Sequence, residues 1–176
     1  CAEQLASKKY PALAAEAFTA GLLHDLGKIV LGTFIEVDDE PIKSIVQARG
    51  LSFEEAEAEV LGLDHAEVAG VLLQRWNLPD PVVCAARCHH DPESADPGHR
   101  DLARLVHAAD ILCIRQGWGM GSDAQHYRPR AESFARLGLG EELAARAVAC
   151  AGESLEELRT VFQSASGGRG RPQPVT

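Results

Sequence analysis

Six histidine and aspartate residues occupy positions where the helical pattern of the sequence predicts a buried side chain: His24, Asp25, His65, His89, His90 and Asp110. His24 and Asp25 end the most apolar stretch of the chain. His65 shares a predicted helix face with apolar residues three, four, seven and eleven positions later. Asp110 lies four residues from both Val106 and Ile114. Imidazole and carboxylate groups are suitable ligands for a divalent metal.

Burying these groups is costly unless they find partners. An unpaired buried carboxylate costs several kcal/mol, and an unpaired imidazole costs about 1–3 kcal/mol. Each has an ordinary structural alternative: a core histidine can be hydrogen-bonded, a His-Asp pair can end a helix, a His-His-Asp run can open a polar loop, and Asp110 can cap a neighbouring helix. Because four separate predicted helices each direct such a group inward, we favour convergence on one another or on a cation.

Helical periodicity throughout the chain predicts an all-α fold. The helix predicted over 12–25 is apolar on nearly all sides, which indicates a buried central element. Gly27 interrupts the pattern, and a second helix restarts at Lys28. Capping signals predict further helices over 52–61, 64–76 and 80–90. The remaining helices are predicted over 101–116 and, as two or three, over 129–162.

Length and charge limit the classes of partner. The chain has 176 residues, 45% hydrophobic and 24% charged, which fits one domain. Its 26 acidic and 17 basic residues give a net charge of −9, which disfavours binding to long nucleic acids. No apolar run approaches the roughly 20 residues that cross a bilayer, and no signal segment opens the chain. We therefore expect a cytoplasmic protein without a membrane or long nucleic acid as partner.

The ends of the chain suggest a larger protein. The first residues are helical in character with nothing before them to start a helix, so we expect a truncated, C-terminal half of a longer module. We predict one helical domain over 1–163. Residues 164–176 are rich in Gly, Pro and Arg, which predicts a disordered tail or linker.

The five cysteines form no Cys-x-x-Cys pair, and we expect reduced thiols. Cys84 and Cys88 share a predicted helix face, but a zinc site would need two more ligands. The remaining histidines, His99, His107 and His126, are expected at the surface.

Four sequence blocks in order carry a resemblance to known families. Residues 21–28 (GLLHDLGK) resemble the signature of the HD superfamily of metal-dependent phosphohydrolases. Residues 64–70 (DHAEVAG), 75–79 (RWNLP) and 89–91 (HHD) resemble more specifically the HDOD domain, a bacterial signalling output domain related to HD. Residues 107–110 (HAAD) resemble the helix that supplies the last aspartate in both groups. The resemblance covers about 10–139 and implies an HD-type helical bundle.

The resemblance also implies roles for the six residues. His24, Asp25 and Asp110 would hold a first divalent metal, and His65, His89 and His90 a second; Mn, Fe, Mg, Zn and Ni remain open as its identity. In an active enzyme, Asp25 and Lys28 would be catalytic, with Lys28 near a substrate phosphate; a solvated helix-start lysine is the alternative.

Two functions follow from the resemblance. The first is an output domain, of the kind found in response regulators, that acts mainly through regulatory contacts with a protein partner or a fused signalling domain. The second is a metal-dependent phosphohydrolase on a nucleotide or cyclic dinucleotide. Residues 1–9 lack the further histidine of catalytic relatives, and no Gly-Tyr-Pro block follows His89 and His90. These departures favour the first function.

Overall fold

A computed structural model describes residues 1–34, 40–118 and 132–166. Its α-helices are α1 (Ala2–Lys9), α2 (Ala14–Leu23), α3 (Leu26–Ile29), α4 (Glu40–Arg49), α5 (Phe53–Leu61), α6 (His65–Arg75), α7 (Asp80–Arg87), α8 (Arg100–Arg115), α9 (Glu132–Leu137) and α10 (Glu141–Ser166). Short 3₁₀ helices lie at Pro11–Leu13 and Pro92–Ser94, and a π-helical turn, Val30–Phe34, continues α3. No strand occurs in these ranges, and the all-α fold class is confirmed.

Local capping interactions start two of the helices that lead to the site. The Ser52 backbone N–H donates to Glu55 Oε2 at 2.9 Å at the start of α5. At the start of α6, the Glu67 backbone N–H donates to Asp64 Oδ1 at 2.8 Å. Gly62, at φ 79°, ends α5 in the left-handed conformation that glycine adopts without strain. The predicted starts of both helices are confirmed.

The main core lies around α8, whose apolar face packs against α1, α2, α7 and α9. Alanines on these helices permit close approach, and larger side chains fill the spaces between them. Fully buried members include Leu5, Leu73, Val82, Leu102, Leu105 and Leu137. A smaller cluster of Ile42, Val46 and Ala56 joins α4 to α5.

The prediction that the helix at 12–25 is a buried central element was wrong. In α2 only Ala17 and Ala20 are buried, whereas Phe18 and Leu22 are 56% and 70% exposed. The central element is α8 instead, because α1, α7 and α8 cover only one side of α2 within the described residues. The helix predicted to reach His90 also ends earlier, at Arg87.

No helix among the described residues is both long and apolar enough to cross a membrane. Helix α10 continues through Ser166, three residues into the segment predicted as a tail. Residues 167–176 lie outside the described residues, as does His126.

Candidate metal centre

All six predicted ligand residues converge at one place, with Asp25 in the middle. Asp25 Oδ1 lies 3.4 Å from His65 Nε2 and 3.6 Å from His89 Nε2. Asp25 Oδ2 lies 3.6 Å from His24 Nε2, which is itself 3.7 Å from Asp110 Oδ1. The last member, His90, places its Nε2 2.8 Å from the Nε2 of His65. Residues from four parts of the chain therefore meet as the sequence predicts.

Two groups of three offer ligand atoms within 4.8 Å of one another: His24, Asp25 and His89, and His65, His89 and His90. His89 belongs to both groups, whereas the resemblance assigned it to the second metal alone. Asp110 reaches the first group through His24.

The approach of α3 to α6 brings Asp25 against His65. A Cβ atom added to Gly27 would lie 1.9 Å from the carbonyl oxygen of His65, so only glycine fits at this contact. Asp25 occupies the short connection between α2 and α3, and His65 is the first residue of α6. The glycine of the sequence motif therefore sets the separation between two ligand-bearing segments.

Hydrogen bonds on the far sides of the rings orient the histidines. His24 Nδ1 lies 3.0 Å from the Gly21 carbonyl oxygen, and His89 Nδ1 lies 2.7 Å from the Ala86 carbonyl oxygen. With Nδ1–H donating to these carbonyls, both Nε2 atoms face the cluster with a free lone pair. This arrangement is the one in which backbone carbonyls orient metal-binding histidines.

Glu57 is a member of the site that sequence reasoning missed. It is 3% exposed, and its Oε2 accepts the His65 backbone N–H at 3.0 Å and also contacts ring Nδ1 of His65. It lies among several glutamates in α5, and nothing in their spacing distinguishes it.

His107 lies beneath the cluster and not at the surface. It is fully buried, and its Nδ1–H donates to the His89 carbonyl oxygen at 2.7 Å. The surface prediction for His107 was therefore wrong, because α8 is the central helix of the core. His99 lies in the turn before α8 and is half-buried.

The carboxylates and imidazole rings of the centre shift each other's pKa. Burial would raise the pKa of Asp25, but the adjacent rings of His65 and His89 hold that pKa well below its usual range. Burial would lower the pKa of His65, but the carboxylates of Asp25 and Glu57 raise it to about 9. A protonated His65 can donate to both Glu57 and His90, which places positive charge at the centre.

Burial would lower the pKa of His24, but the carboxylates of Asp110 and Asp25 raise it above its ordinary value. The other two rings of the cluster differ from His65 and His24. Burial lowers the pKa of His89 to about 4, with Asp25 partly opposing the effect. Burial, His89 and His65 together keep the pKa of His90 well below its usual range. Both rings are therefore neutral at pH 7, which is the form that binds a metal.

The unpaired atoms of the cluster fit a cation. His24 Nε2, His89 Nε2 and Asp25 Oδ1 are buried and have no hydrogen-bond partner among the described residues. Leaving a buried polar group unsatisfied costs about 1–3 kcal/mol, and a cation would satisfy all three atoms. These atoms lie 3.4–3.7 Å from the ligand atoms of neighbouring residues. Two ligand atoms that each lie about 2.1 Å from the same ion are separated by a similar distance.

Two cavities border the centre. The first has a volume of about 240 Å³ and is lined by His24 and Asp110 together with the exposed apolar residues Phe18 and Leu22 of α2. The second, about 400 Å³, lies beside His90; its charged lining comprises Glu54, Glu55, Asp64, Glu67, Arg87 and Asp91. Carboxylates therefore dominate its approach to the centre.

Comparisons with curated proteins find bacterial relatives much longer than this chain. An uncharacterized protein of Treponema pallidum (strain Nichols) is 31% identical over 100 residues, which cover 57% of this chain and 20% of that protein. Ribonuclease Y of Thermus thermophilus is 32% identical over 126 residues, which cover 72% of this chain and 17% of that protein. The chain spans about a fifth of the length of these curated relatives.

Two solved structures share the fold. An HDOD domain protein of unknown function from Geobacter sulfurreducens has a TM-score of 0.64 at 22% identity, covering 90% of this chain and 56% of that chain. A protein described as a candidate phosphohydrolase, from Shewanella amazonensis SB2B, has a TM-score of 0.59 at 27% identity, covering 81% and 49%. The family model of the HDOD domain matches residues 1–92, more than half of the chain. The chain belongs to the HDOD domain family, which is related to the HD superfamily of metal-dependent phosphohydrolases.

Proposed function

We propose that this chain is a cytoplasmic signal-transduction output domain that binds a divalent metal and acts mainly through contacts with a protein partner or a fused signalling domain. The metal would be held by the six residues of the centre and would stabilise their packing. The observation that carries the proposal is the exposed apolar surface of α2 directly beside the centre, where Phe18 and Leu22 are 56% and 70% exposed.

This surface has the chemistry of a protein contact. Phe18 and Leu22 lie one helical turn apart on α2, and both line the cavity that reaches His24 and Asp110. Exposed apolar groups beside a cavity are characteristic of interaction sites. The side chains of Phe18 and Leu22 carry no metal-ligand atom. The proposed partner surface and the metal ligands are therefore separate side chains that lie next to each other.

The charge around the centre supports a regulatory role over hydrolysis. Among the described residues, carboxylates outnumber the one arginine that lines the cavity beside His90, and no lysine or arginine lines the cavity beside His24. Such linings repel a phosphate ester. Lys28 contacts the ligand set, and its Nζ donates to Asp25 Oδ2 at 2.9 Å.

The second candidate function is hydrolysis of a small phosphodiester, such as a nucleotide or cyclic dinucleotide. The similarity to proteins called Ribonuclease Y and a candidate phosphohydrolase favours this candidate. When bound, a divalent metal supplies a Lewis acid that polarises a phosphoryl oxygen. In this candidate Lys28 would neutralise a substrate phosphate after leaving Asp25, and the α2 cavity would receive the remainder of the substrate.

A turnover assay separates the two candidates. The protein is loaded with Mn²⁺ or Fe²⁺ and incubated with nucleotides, cyclic dinucleotides and bis-p-nitrophenyl phosphate. The regulatory function predicts no turnover at any metal content. Turnover that is lost in a folded Asp25→Ala variant would establish the hydrolase instead.

Hydrogen exchange tests the proposed contact surface. Amides over 14–23 should exchange more slowly with a protein partner bound than in this chain alone. Leu22→Asp should remove that protection, whereas His24→Ala should retain it. Equal exchange of α2 in all forms would contradict a regulatory contact at this surface.

A further inference from the structure

A second group of possible metal ligands lies outside the six residues of the centre. Cys84 Sγ, a ring nitrogen of His99 and a carboxylate oxygen of Asp96 all lie within 4.8 Å of one another. Cys84 belongs to α7, Asp96 to the loop after the Pro92–Ser94 turn, and His99 to the residue that precedes α8. The loop thus brings two further ligand types to Cys84, whereas Cys88 is not part of the group.

One ring nitrogen of His99, a residue of this group, needs a partner. His99 Nδ1 is buried and has no hydrogen-bond partner among the described residues, although His99 itself is only half-buried. The other buried ring nitrogens in this condition, His24 Nε2 and His89 Nε2, both belong to the candidate metal centre. A ring that has an unsatisfied buried nitrogen and that also approaches a thiol and a carboxylate points to a cation as the missing partner.

The loop that carries Asp96 and His99 is held in place by its own hydrogen bonds. The His99 backbone N–H donates to the Asp96 carbonyl oxygen at 2.8 Å. The Arg100 guanidinium donates to the Ala95 carbonyl oxygen at 3.2 and 2.9 Å. Ala95 is itself buried in the main core. These contacts arrange the side chains before any ligand binds, which reduces the ordering cost of binding.

We propose that Cys84, Asp96 and His99 form a second cation site, which binds Zn²⁺ through one thiolate, one imidazole and one carboxylate. These three ligand types are the ones that Zn²⁺ takes in proteins, and three protein ligands leave a fourth position for water or a partner's side chain. Asp96 and His99 lie beyond residues 1–92, so two of the three ligands lie outside the part of the chain that matches the HDOD family.

Cobalt provides a test that distinguishes this site from the candidate metal centre. A thiolate bound to Co²⁺ gives a charge-transfer absorption in the near ultraviolet, and the centre itself contains no cysteine. We expect this absorption on Co²⁺ titration of the reduced protein, and we expect stoichiometric Zn²⁺ to abolish it. It should persist in Asp25→Asn, in which the centre is disabled.

Variants of the three ligands should lose the signal. Cys84→Ser removes the thiolate and should abolish the absorption. His99→Ala and Asp96→Asn should weaken Co²⁺ binding by at least about tenfold. Loss of a group that only supports a metal ligand already lowers metal affinity by about that factor. Because Asp96 is exposed, its variant should fold even if Cys84→Ser does not, which circular dichroism checks.

Cys113→Ser is the matched control. Cys113 is also half-buried, and it lines the cavity beside His24 and Asp110. The absorption should survive this change. The assignment would be overturned if the unmodified protein gave no such absorption. It would also be overturned if Cys113→Ser lost the absorption while Cys84→Ser kept it.

Discussion

Glu57 holds His65 at two points through one carboxylate oxygen. Oε2 accepts the His65 backbone N–H at 3.0 Å and contacts ring Nδ1, and both residues are almost fully buried. The first contact positions the start of α6, and the second turns Nε2 of the ring toward Asp25. Helix α5 therefore controls the centre without supplying a ligand.

Glu57→Gln should weaken metal binding by about 10–100-fold, because removal of a carboxylate that orients a ligand histidine has this effect. It should also lower the free energy of unfolding of the metal-free protein by about 1–3 kcal/mol, since a buried hydrogen-bonding partner of His65 is altered. Metal titration and urea unfolding measure the two effects.

Glu59→Gln is the matched control for this prediction. Glu59 lies two residues further along α5, is exposed and pairs with Arg49 at the surface. Its loss should change stability by less than about 1 kcal/mol and leave metal affinity unchanged. Equal metal affinities in the two variants would show that Glu57 does not orient the site.

Gly27→Ala should destabilise the protein by about 3 kcal/mol or more and reduce its metal content. The added Cβ would lie 1.9 Å from the His65 carbonyl oxygen, a backbone atom that moves only if α3 and α6 separate. Thermal unfolding and elemental analysis measure these losses. Gly32→Ala is the control, since its Cβ would meet nothing within 4 Å; similar losses in both variants would mean that helix packing at Gly27 is not the cause.

Asp25→Asn should remove most of the bound metal while the protein remains folded. Asp25 contacts three ring nitrogens of the centre, and an amide in its place carries no charge to attract a cation. Elemental analysis after expression with Mn and Fe, and circular dichroism, check the two parts of the prediction. Asp80→Asn makes the same charge change at the exposed start of α7 and should retain metal; undiminished metal in Asp25→Asn would contradict the ligand assignment.

The ion pair of Glu93 and Arg104 should give a pH-dependent contribution to stability. Arg104 donates to both carboxylate oxygens of Glu93, at 2.8 and 2.9 Å, and lowers the pKa of Glu93 below its ordinary value of 4.5. A carboxyl whose folded pKa is lowered stabilises the protein above its unfolded pKa, and this stabilisation is lost as the pH falls through the folded value. Because Glu93 is partly exposed, the effect at pH 7 should be about 0.5–1 kcal/mol.

Urea unfolding of Glu93→Gln at pH 7, 5 and 3 measures this contribution. The variant should be less stable than the unmodified protein at pH 7, and the difference should shrink at pH 3. Glu153→Gln, an exposed change on α10, should show no such trend. A difference at Glu93 that is the same at all three pH values would exclude the ion pair as its source.

Local patterns predicted those parts of the fold that depend on neighbouring residues. The starts of α5 and α6 were predicted because a capping residue and its partner lie three positions apart in the sequence. The extent of α2 was nearly right, but its environment was not, since apolar composition does not say which sides other helices cover. The end of the helix before His89 was also misplaced.

The six candidate ligands could be identified because polar groups interrupted apolar helix faces and their order resembled a known family. Their separation in space, the sharing of His89 between two groups and the role of Glu57 could not be predicted, since these depend on residues that are distant in sequence. His107 was misjudged for the same reason: its burial follows from the position of α8 at the centre of the core.

The sequence by itself determined an all-α chain, its main helix starts and the residue types that can bind a metal, because these follow from periodicity, caps and side-chain chemistry. Only the tertiary structure decided which atoms meet: Gly27 against the His65 backbone, Glu57 on His65, and Cys84 beside Asp96 and His99. Contacts of this kind depend on how closely helices approach and on where a loop crosses them, which packing of the whole core determines.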